Sequence, residues 1–264
     1  MRPVSENAGY LESEEAFDFL YSDMAREFTL PIRLNPNRFH TTYSLLQVIR
    51  GHFPRTPGAT LCEIGCAPGQ WLIYFHEYFK YLVHGMDLSS AGIELTLANL
   101  NHCGAPAKIL QADAFHFPFG DMLFDVVFSH SLIEHFKNPM AVFELHDLMT
   151  KPGGLIYIGM PNLRYANHAV FFLVDRFMGK FSELRETQNT GTANLGLFRE
   201  AAGKFGWEIA FLDYIGFFIP LLYSPPRADP GKTTYHSIGR LVGRKMPTSR
   251  FFSPLICMIA RKPL

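Results

Sequence analysis

The sequence predicts an α/β protein built on a parallel sheet, and three observations carry that prediction. Short apolar runs recur along the middle of the chain, amphipathic stretches with helix start and stop signals separate them, and the interval between runs suits βαβ units. A chain of 264 residues, 48% of them hydrophobic, can bury a sizeable core as one domain.

Taken in order, Phe17, Leu20, Met24 and Phe28 share one face of an N-terminal helix, and a second helix is expected from Arg38 to Phe53. "TLCEI" (60–64) reads as the first strand, with Trp71, Phe75, Tyr78 and Leu82 following at helical spacing. "LVHGMD" (82–87) is the second strand. A Ser-capped helix comes next, with Ile93, Leu97 and Leu100 on one face and Gly104 as its stop. "AKILQAD" (107–113) and "FDVVFS" (124–129) are the third and fourth strands. Asn138 is the N-cap and Pro139 the first residue of a helix that "KPGG" ends. "LIYIGM" (155–160) is the fifth strand, residues 164–180 read as a further amphipathic helix, and "LFREAAGKFG" closes on Gly206. "WEIAFL" and "LICMIARKP" supply the last two strands. Between them the Pro-rich, basic segment 217–252 reads as an insertion or lid.

Composition narrows the function classes. Lys+Arg and Asp+Glu balance at 24 each, so no net basic charge points to nucleic acid. Cys62, Cys66, Cys103 and Cys257 lack zinc-site spacing and read as free thiols in a reducing compartment. The acidic N-terminus has no apolar signal region, and the longest apolar run, 214–223, contains Pro220 and is too short to span a bilayer. A cytoplasmic protein without a transmembrane segment is expected. The 25 Phe point to an aromatic-rich interior or an apolar cleft.

Ligands of open parallel sheets bind where strands give way to loops at the carboxyl edge. "TLCEIGCAPGQW" (60–71) lies at such a place. A phosphate-binding P-loop needs Lys and Ser or Thr after the last glycine, and Gln70 and Trp71 stand there instead. A dinucleotide fingerprint needs three glycines at fixed spacing, which Gly65 and Gly69 do not give. Glu63 would also put a negative charge beside any phosphate, whereas it suits a cationic ligand. S-adenosylmethionine, with an ammonium, a sulfonium and no phosphate, is such a ligand.

Here the sequence resembles the class I S-adenosylmethionine-dependent methyltransferases. Their first motif is (Asp/Glu)-x-Gly-x-Gly-x-Gly, and this chain has Glu63-Ile64-Gly65-Cys66-Ala67-Pro68-Gly69, with Ala67 replacing the middle glycine. Asp87 and "QADAFHFPF" match the next two segments. "FDVVFSHSLIEHF" and "KPGGLIYIGMPN" are similar to the fourth and fifth strand segments of the branch holding ubiquinone-pathway O-methyltransferases. The resemblance implies a Rossmann-like, seven-stranded, mostly parallel sheet with helices on both faces, plus N-terminal helices and an insertion before the last strand. It divides a single domain into an N-terminal helical cap (1–58), a cofactor-binding core (59–162) and an acceptor-side region (163–264). It also implies S-adenosyl-L-methionine as cofactor. Glu63, Gly65, Cys66, Ala67 and Gly69 would hold it through the first loop and Asp87 through the ribose hydroxyls. Leu88 and Ser129 are expected beside it, with Asp113 at the adenine amino group and the Ala114 N–H at the ring.

Methyl transfer to a hydroxyl needs positioning and a proton acceptor. If a short helix starts near His130, then His130 and Glu134 share one face, and Ser131 and His135 another. His135 matches the family's Glu-His pair and is the expected base, with His130 second. Some relatives carry Glu-x-x-Glu-His here and bind a divalent metal. Ser131 replaces the first Glu, leaving Glu134 and His135 with the distant His168, and no metal is expected. The expected acceptor is a small molecule methylated at a hydroxyl: a phenol, a quinol precursor or a sugar. Phe217, Phe218, Leu221, Leu222 and Tyr223 could line its pocket or make a weak membrane-surface contact. Arg227, Lys232, Arg240, Arg244, Lys245 and Arg250 could meet an anionic group or simply face solvent. Two alternatives stay open. One is a methyltransferase-like binding subunit without activity, and the weaker one is a nicotinamide-dependent oxidoreductase.

Overall fold

A computed structural model describes residues 9–27, 29–35, 40–116, 118–162, 189–216 and 248–264. Two helices, α1 (Glu14–Glu27) and α2 (His40–His52), precede β1 (Thr60–Ile64). Then follow α3 (Gln70–Tyr74), β2 (Leu82–Asp87), α4 (Ser90–Cys103), β3 (Ala107–Gln111), β4 (Phe124–His130), α5 (Pro139–Met149) and β5 (Thr150–Pro161). The last elements are α6 (Leu195–Phe205), β6 (Glu208–Ile215) and β7 (Leu255–Arg261).

The strands form one seven-stranded sheet in the order β3-β2-β1-β4-β5-β7-β6. β1 to β5 pair in parallel, and β7 inserts antiparallel between β5 and β6. This is the expected Rossmann-like, mostly parallel sheet. Strand pleat sends alternate residues to opposite faces. Leu61, Val126, Phe128 and Tyr157 join α2 and α3 on one side, while Val127, Ile156 and Ile158 meet α5 and α6 on the other. On the first side Phe53, Phe75, Phe79 and Tyr81 pack in one cluster with Phe128. The Phe128 ring stacks on Tyr157 at 4.2 Å.

Local signals set several boundaries. Ser89 Oγ accepts from Gly92 N at 2.9 Å to cap α4, Asn138 caps α5 through Met140 N, and Gly206 ends α6 at φ 71°. Other expectations need correction. The apolar spacing from Trp71 to Leu82 is not one helix. α3 passes into a π-helical turn, Phe75–Phe79, which Lys80 ends in the left-handed region at φ 61°, so Leu82 begins β2. The inward face of α4 carries Leu95, Thr96, Asn99 and Leu100, while Leu97 is exposed. Asn99 points inward because its amide accepts from Ile32 N, donates to Ile32 O, and also donates to Pro68 O, at 2.8–3.0 Å. "KPGG" lies within β5, which starts directly at Thr150. The helix read over 164–180 and nearly all of the 217–252 insertion fall outside the described residues, as do Phe28 and His168. Among the described residues no helix is long and apolar enough to cross a membrane.

Candidate functional site

A cleft of about 590 Å³ opens at the carboxyl ends of β1, β2 and β4, a size suited to a small ligand. The loop after β1 forms its floor. Gly65 and Gly69 take φ 72° and 86°, and a Cβ on either would come within 3.0 Å of Leu132 or Thr96. Gly65 N and Cys66 N both donate to Met86 O, and Ala67 N donates to Asp87 Oδ2 at 3.1 Å. The loop is thereby fastened to the end of β2.

Two buried carboxylates face the cleft from neighbouring strand ends. Asp87 accepts from Ser89 N as well as Ala67 N, and burial still raises its pKa against those hydrogen bonds. Glu63 is buried with Oε2 unpartnered, and burial together with nearby Asp87 pushes its pKa well up. A cationic ligand would relieve both. Gly65, Ala67, Leu88 and Ala114 line the cleft as the sequence reading places them.

The other expected contacts lie elsewhere. Cys66 is buried against Gly85, where an added Cβ would meet Cys66 Cβ and Sγ at 2.8 Å, and Gly69 serves as the α3 N-cap. Asp113 Oδ1 accepts from the Tyr10 hydroxyl at 2.9 Å and from Phe115 N at 3.0 Å. Ser129 does not line the cleft: its hydroxyl meets His146 Nε2 of α5 at 2.9 Å, on the face of β4 opposite His130. The pleat explains this, since residues 129 and 130 must point to opposite sides.

After β4 the chain does not continue as a helix from His130. Ser131 takes φ 58° and donates its N–H to Gly159 O, and a single 3₁₀ turn follows at Ile133–His135. The pairing of His130 with Glu134 on a helix face is therefore absent, though both line the cleft along with His135. His130 Nδ1 lies 3.0 Å from the Tyr157 hydroxyl, its ring packs 5.1 Å from Trp71, and burial lowers its pKa to about 4. It is neutral at pH 7. Glu134 is 1% exposed with both oxygens unpartnered, and burial pushes its pKa up to about 7, against the pull of His135.

His135 differs from His130. Burial alone would lower its pKa, but Glu12, Glu134 and Asp87 outweigh it and hold it above the ordinary value. Glu12 Oε2 stands 2.7 Å from Nδ1, an ion-pair distance, although the carboxylate lies off the ring N–H direction and makes no aligned hydrogen bond. Glu12, Tyr10, Phe17 and Tyr21, all from the N-terminal segment, line the cleft, and sequence reasoning assigned none of them to the site. Asp18 fastens α1 to the start of α4 by accepting from Ala91 N and the Ser90 hydroxyl. The described lining carries five carboxylates, Glu12, Asp23, Glu63, Asp87 and Glu134, and no Lys or Arg.

The family model of a methyltransferase domain matches residues 62–158, from β1 into β5. A phosphoethanolamine N-methyltransferase 2 of Caenorhabditis elegans is 29% identical over 157 residues, covering 57% of this chain and 36% of that protein. The 27-O-demethylrifamycin SV methyltransferase of Amycolatopsis mediterranei is 25% identical over 120 residues, 45% of this chain and 44% of that one. The chain thus spans less than half the length of these curated relatives. Two solved structures share the fold. The Haemonchus contortus phosphoethanolamine N-methyltransferase 2, crystallised with S-adenosyl-L-methionine, gives a TM-score of 0.59 at 20% identity, over 96% of this chain and 58% of that one. A SAM-dependent methyltransferase from Aquifex aeolicus gives 0.56 at 12% identity, over 91% and 97%. The sequence match to a methyltransferase domain thus covers residues 62–158, and the chain shares the fold of these class I methyltransferase structures.

Proposed function

We propose that this chain transfers a methyl group from S-adenosylmethionine to a small-molecule acceptor. The observation that carries this reading is the Glu63–Asp87 carboxylate pair set on a glycine loop that leaves room for a ligand. The donor set fits the cofactor: Glu63 Oε2 lacks a hydrogen-bond partner, Asp87 has acceptor capacity beyond its bonds to Ala67 N and Ser89 N, and no Lys or Arg is among the described lining residues. Glu63 would take the ammonium side, Asp87 the ribose, and Leu88, Ala112 and Ala114 the adenine. When bound, the cofactor supplies a methyl carbon activated by a sulfonium.

The chain's own work is orientation and proton removal. Trp71, Phe17 and Leu132 exclude water from the cleft wall. His135 would take the acceptor's proton, because carboxylates on two sides stabilise the imidazolium that forms. His130, neutral and tied to Tyr157, is the poorer base. A hydroxyl acceptor requires this proton transfer. An amine acceptor is the second reading, favoured by the unpartnered Glu134 carboxylate and consistent with relatives whose names specify N-methylation.

S-adenosylhomocysteine titrated by calorimetry, with NADH as control, tests the cofactor. Micromolar binding of the first alone supports the reading, and binding of NADH instead would return the nicotinamide alternative. Radiolabelled methyl transfer to parallel sets of phenols, sugars and amines then separates the acceptor readings. A cofactor-binding subunit without activity would give no transfer to any of them.

A further inference from the structure

We propose that Glu12 is the positioning residue for His135, delivered by the segment ahead of α1. The inference rests on the methyl-transfer reading of the site. Residues 9–11 run antiparallel beside 135–137: Leu11 N donates to His135 O and Lys137 N to Gly9 O, each at 2.9 Å, with a bridge between Tyr10 and Phe136. Tyr10 anchors the segment further, its ring 4.6 Å from Phe136 and its hydroxyl on Asp113. That pairing places the next residue, Glu12, against the imidazole, where its side chain is 9% exposed and that of His135 15%.

Every neighbour of the ring then has a distinct part. Glu12 sits at Nδ1, Phe17 of α1 meets the ring edge-on at 5.3 Å, and Glu134 Oε1 stands 4.0 Å from Nε2, beyond hydrogen-bond reach. Asp87 adds a more distant negative charge. A carboxylate at Nδ1 favours a proton there and leaves Nε2 as the nitrogen that can accept. Glu12 thus fixes which nitrogen faces chemistry without touching the acceptor. The site is complete only while the 9–12 segment lies on the 135–137 strip.

The test needs no acceptor. The full chain carries ¹⁵N-labelled histidine and is saturated with S-adenosylhomocysteine, His135→Asn assigns the resonance, and ring-nitrogen shifts are followed from pH 5 to 9. Wild type should hold the Nδ1–H tautomer. Glu12→Gln should mix the tautomers and lower the His135 midpoint by about one pH unit or more, the effect of losing an opposite charge at this range. Glu12→Asp should restore most of the wild-type behaviour. Leu11→Pro, which removes the N–H that pairs with His135 O, should reproduce the Glu12→Gln result while S-adenosylhomocysteine affinity stays within about threefold, well under 1 kcal/mol. An unchanged His135 tautomer and midpoint in either Glu12→Gln or Leu11→Pro overturns the proposal. Failure of wild type to bind S-adenosylhomocysteine would instead strike the functional reading, leaving the Glu12 effect to be read in the free protein.

Discussion

Asp87→Asn separates the two duties of one carboxylate. Asp87 is 8% exposed and already accepts from Ser89 N at 3.0 Å and Ala67 N at 3.1 Å. The amide keeps the shape but turns one oxygen into a donor, so one of those backbone N–H groups loses its acceptor. A buried unsatisfied group costs about 1–3 kcal/mol, and that loss falls on the protein with or without ligand. In a domain of this size it should lower the melting temperature by roughly 2–4 °C per kcal/mol. The loss specific to the complex is a charge-assisted hydrogen bond to a ribose hydroxyl, about 1.5–3 kcal/mol, which raises the dissociation constant roughly 10- to 150-fold. Calorimetry with S-adenosylhomocysteine on a variant shown to be folded measures the second cost, and a thermal melt measures the first. A melting point that falls while affinity stays within threefold of wild type would refute the ribose assignment and leave Asp87 as a loop fastener alone.

Other perturbations address the rest of the site. Gly85→Ala would set a Cβ 2.8 Å from Cys66 and 3.0 Å from Leu72, so urea unfolding should show a loss of about 1–3 kcal/mol together with weaker cofactor binding. Glu134, with its pKa raised to about 7, binds a proton in the native state that the unfolded chain has already released above about pH 4.5. Its contribution is full below that pH and lost as pH rises through 7. Glu134→Gln should therefore gain on wild type between pH 5 and pH 8 by roughly 2–3 kcal/mol, and equal offsets at the two pH values would refute it. His146 has the opposite sign. It is buried between Val142 O at 2.7 Å and Ser129 Oγ, with a pKa lowered to about 4, so the unfolded chain takes up a proton near pH 6.5 that the native state refuses. Stability should fall by about 3 kcal/mol from pH 7 to pH 4, and His146→Gln should flatten that slope in urea titrations.

The sheet was legible because its signals are local. The short apolar runs, the Ser89 and Asn138 caps and the Gly104 and Gly206 stops each depend on residues a few positions apart. The misreadings share a cause. Trp71, Phe75, Tyr78 and Leu82 keep a helical period on paper, yet the left-handed Lys80 breaks it, and a positive φ on Lys has no residue-type signature. Asn99 displaces the apolar stripe of α4 because its partners, Ile32 and Pro68, lie far off in the chain.

The site divides along the same line. Glu63, Gly65, Ala67 and Asp87 were legible because a tight turn and a strand end confine chemistry to short motifs. Tyr10 and Glu12 were not, since the Tyr10–Asp113 hydrogen bond joins residues 103 positions apart and nothing local about Glu12 marks it as different from Glu14 or Glu15. Even Ser129 and His130, adjacent in sequence, go to opposite faces of β4, so a strand-end motif can supply the cleft with only one of the two. What the motif leaves open, the N-terminal segment supplies: a carboxylate for an imidazole whose own turn provides no hydrogen-bond partner within reach. One wall of the cleft is built from the strand ends, with Glu63 and Asp87, whereas the wall that holds His135 is completed by the N-terminal segment. Variation in that segment should then alter proton transfer at His135 before it alters binding of S-adenosylhomocysteine.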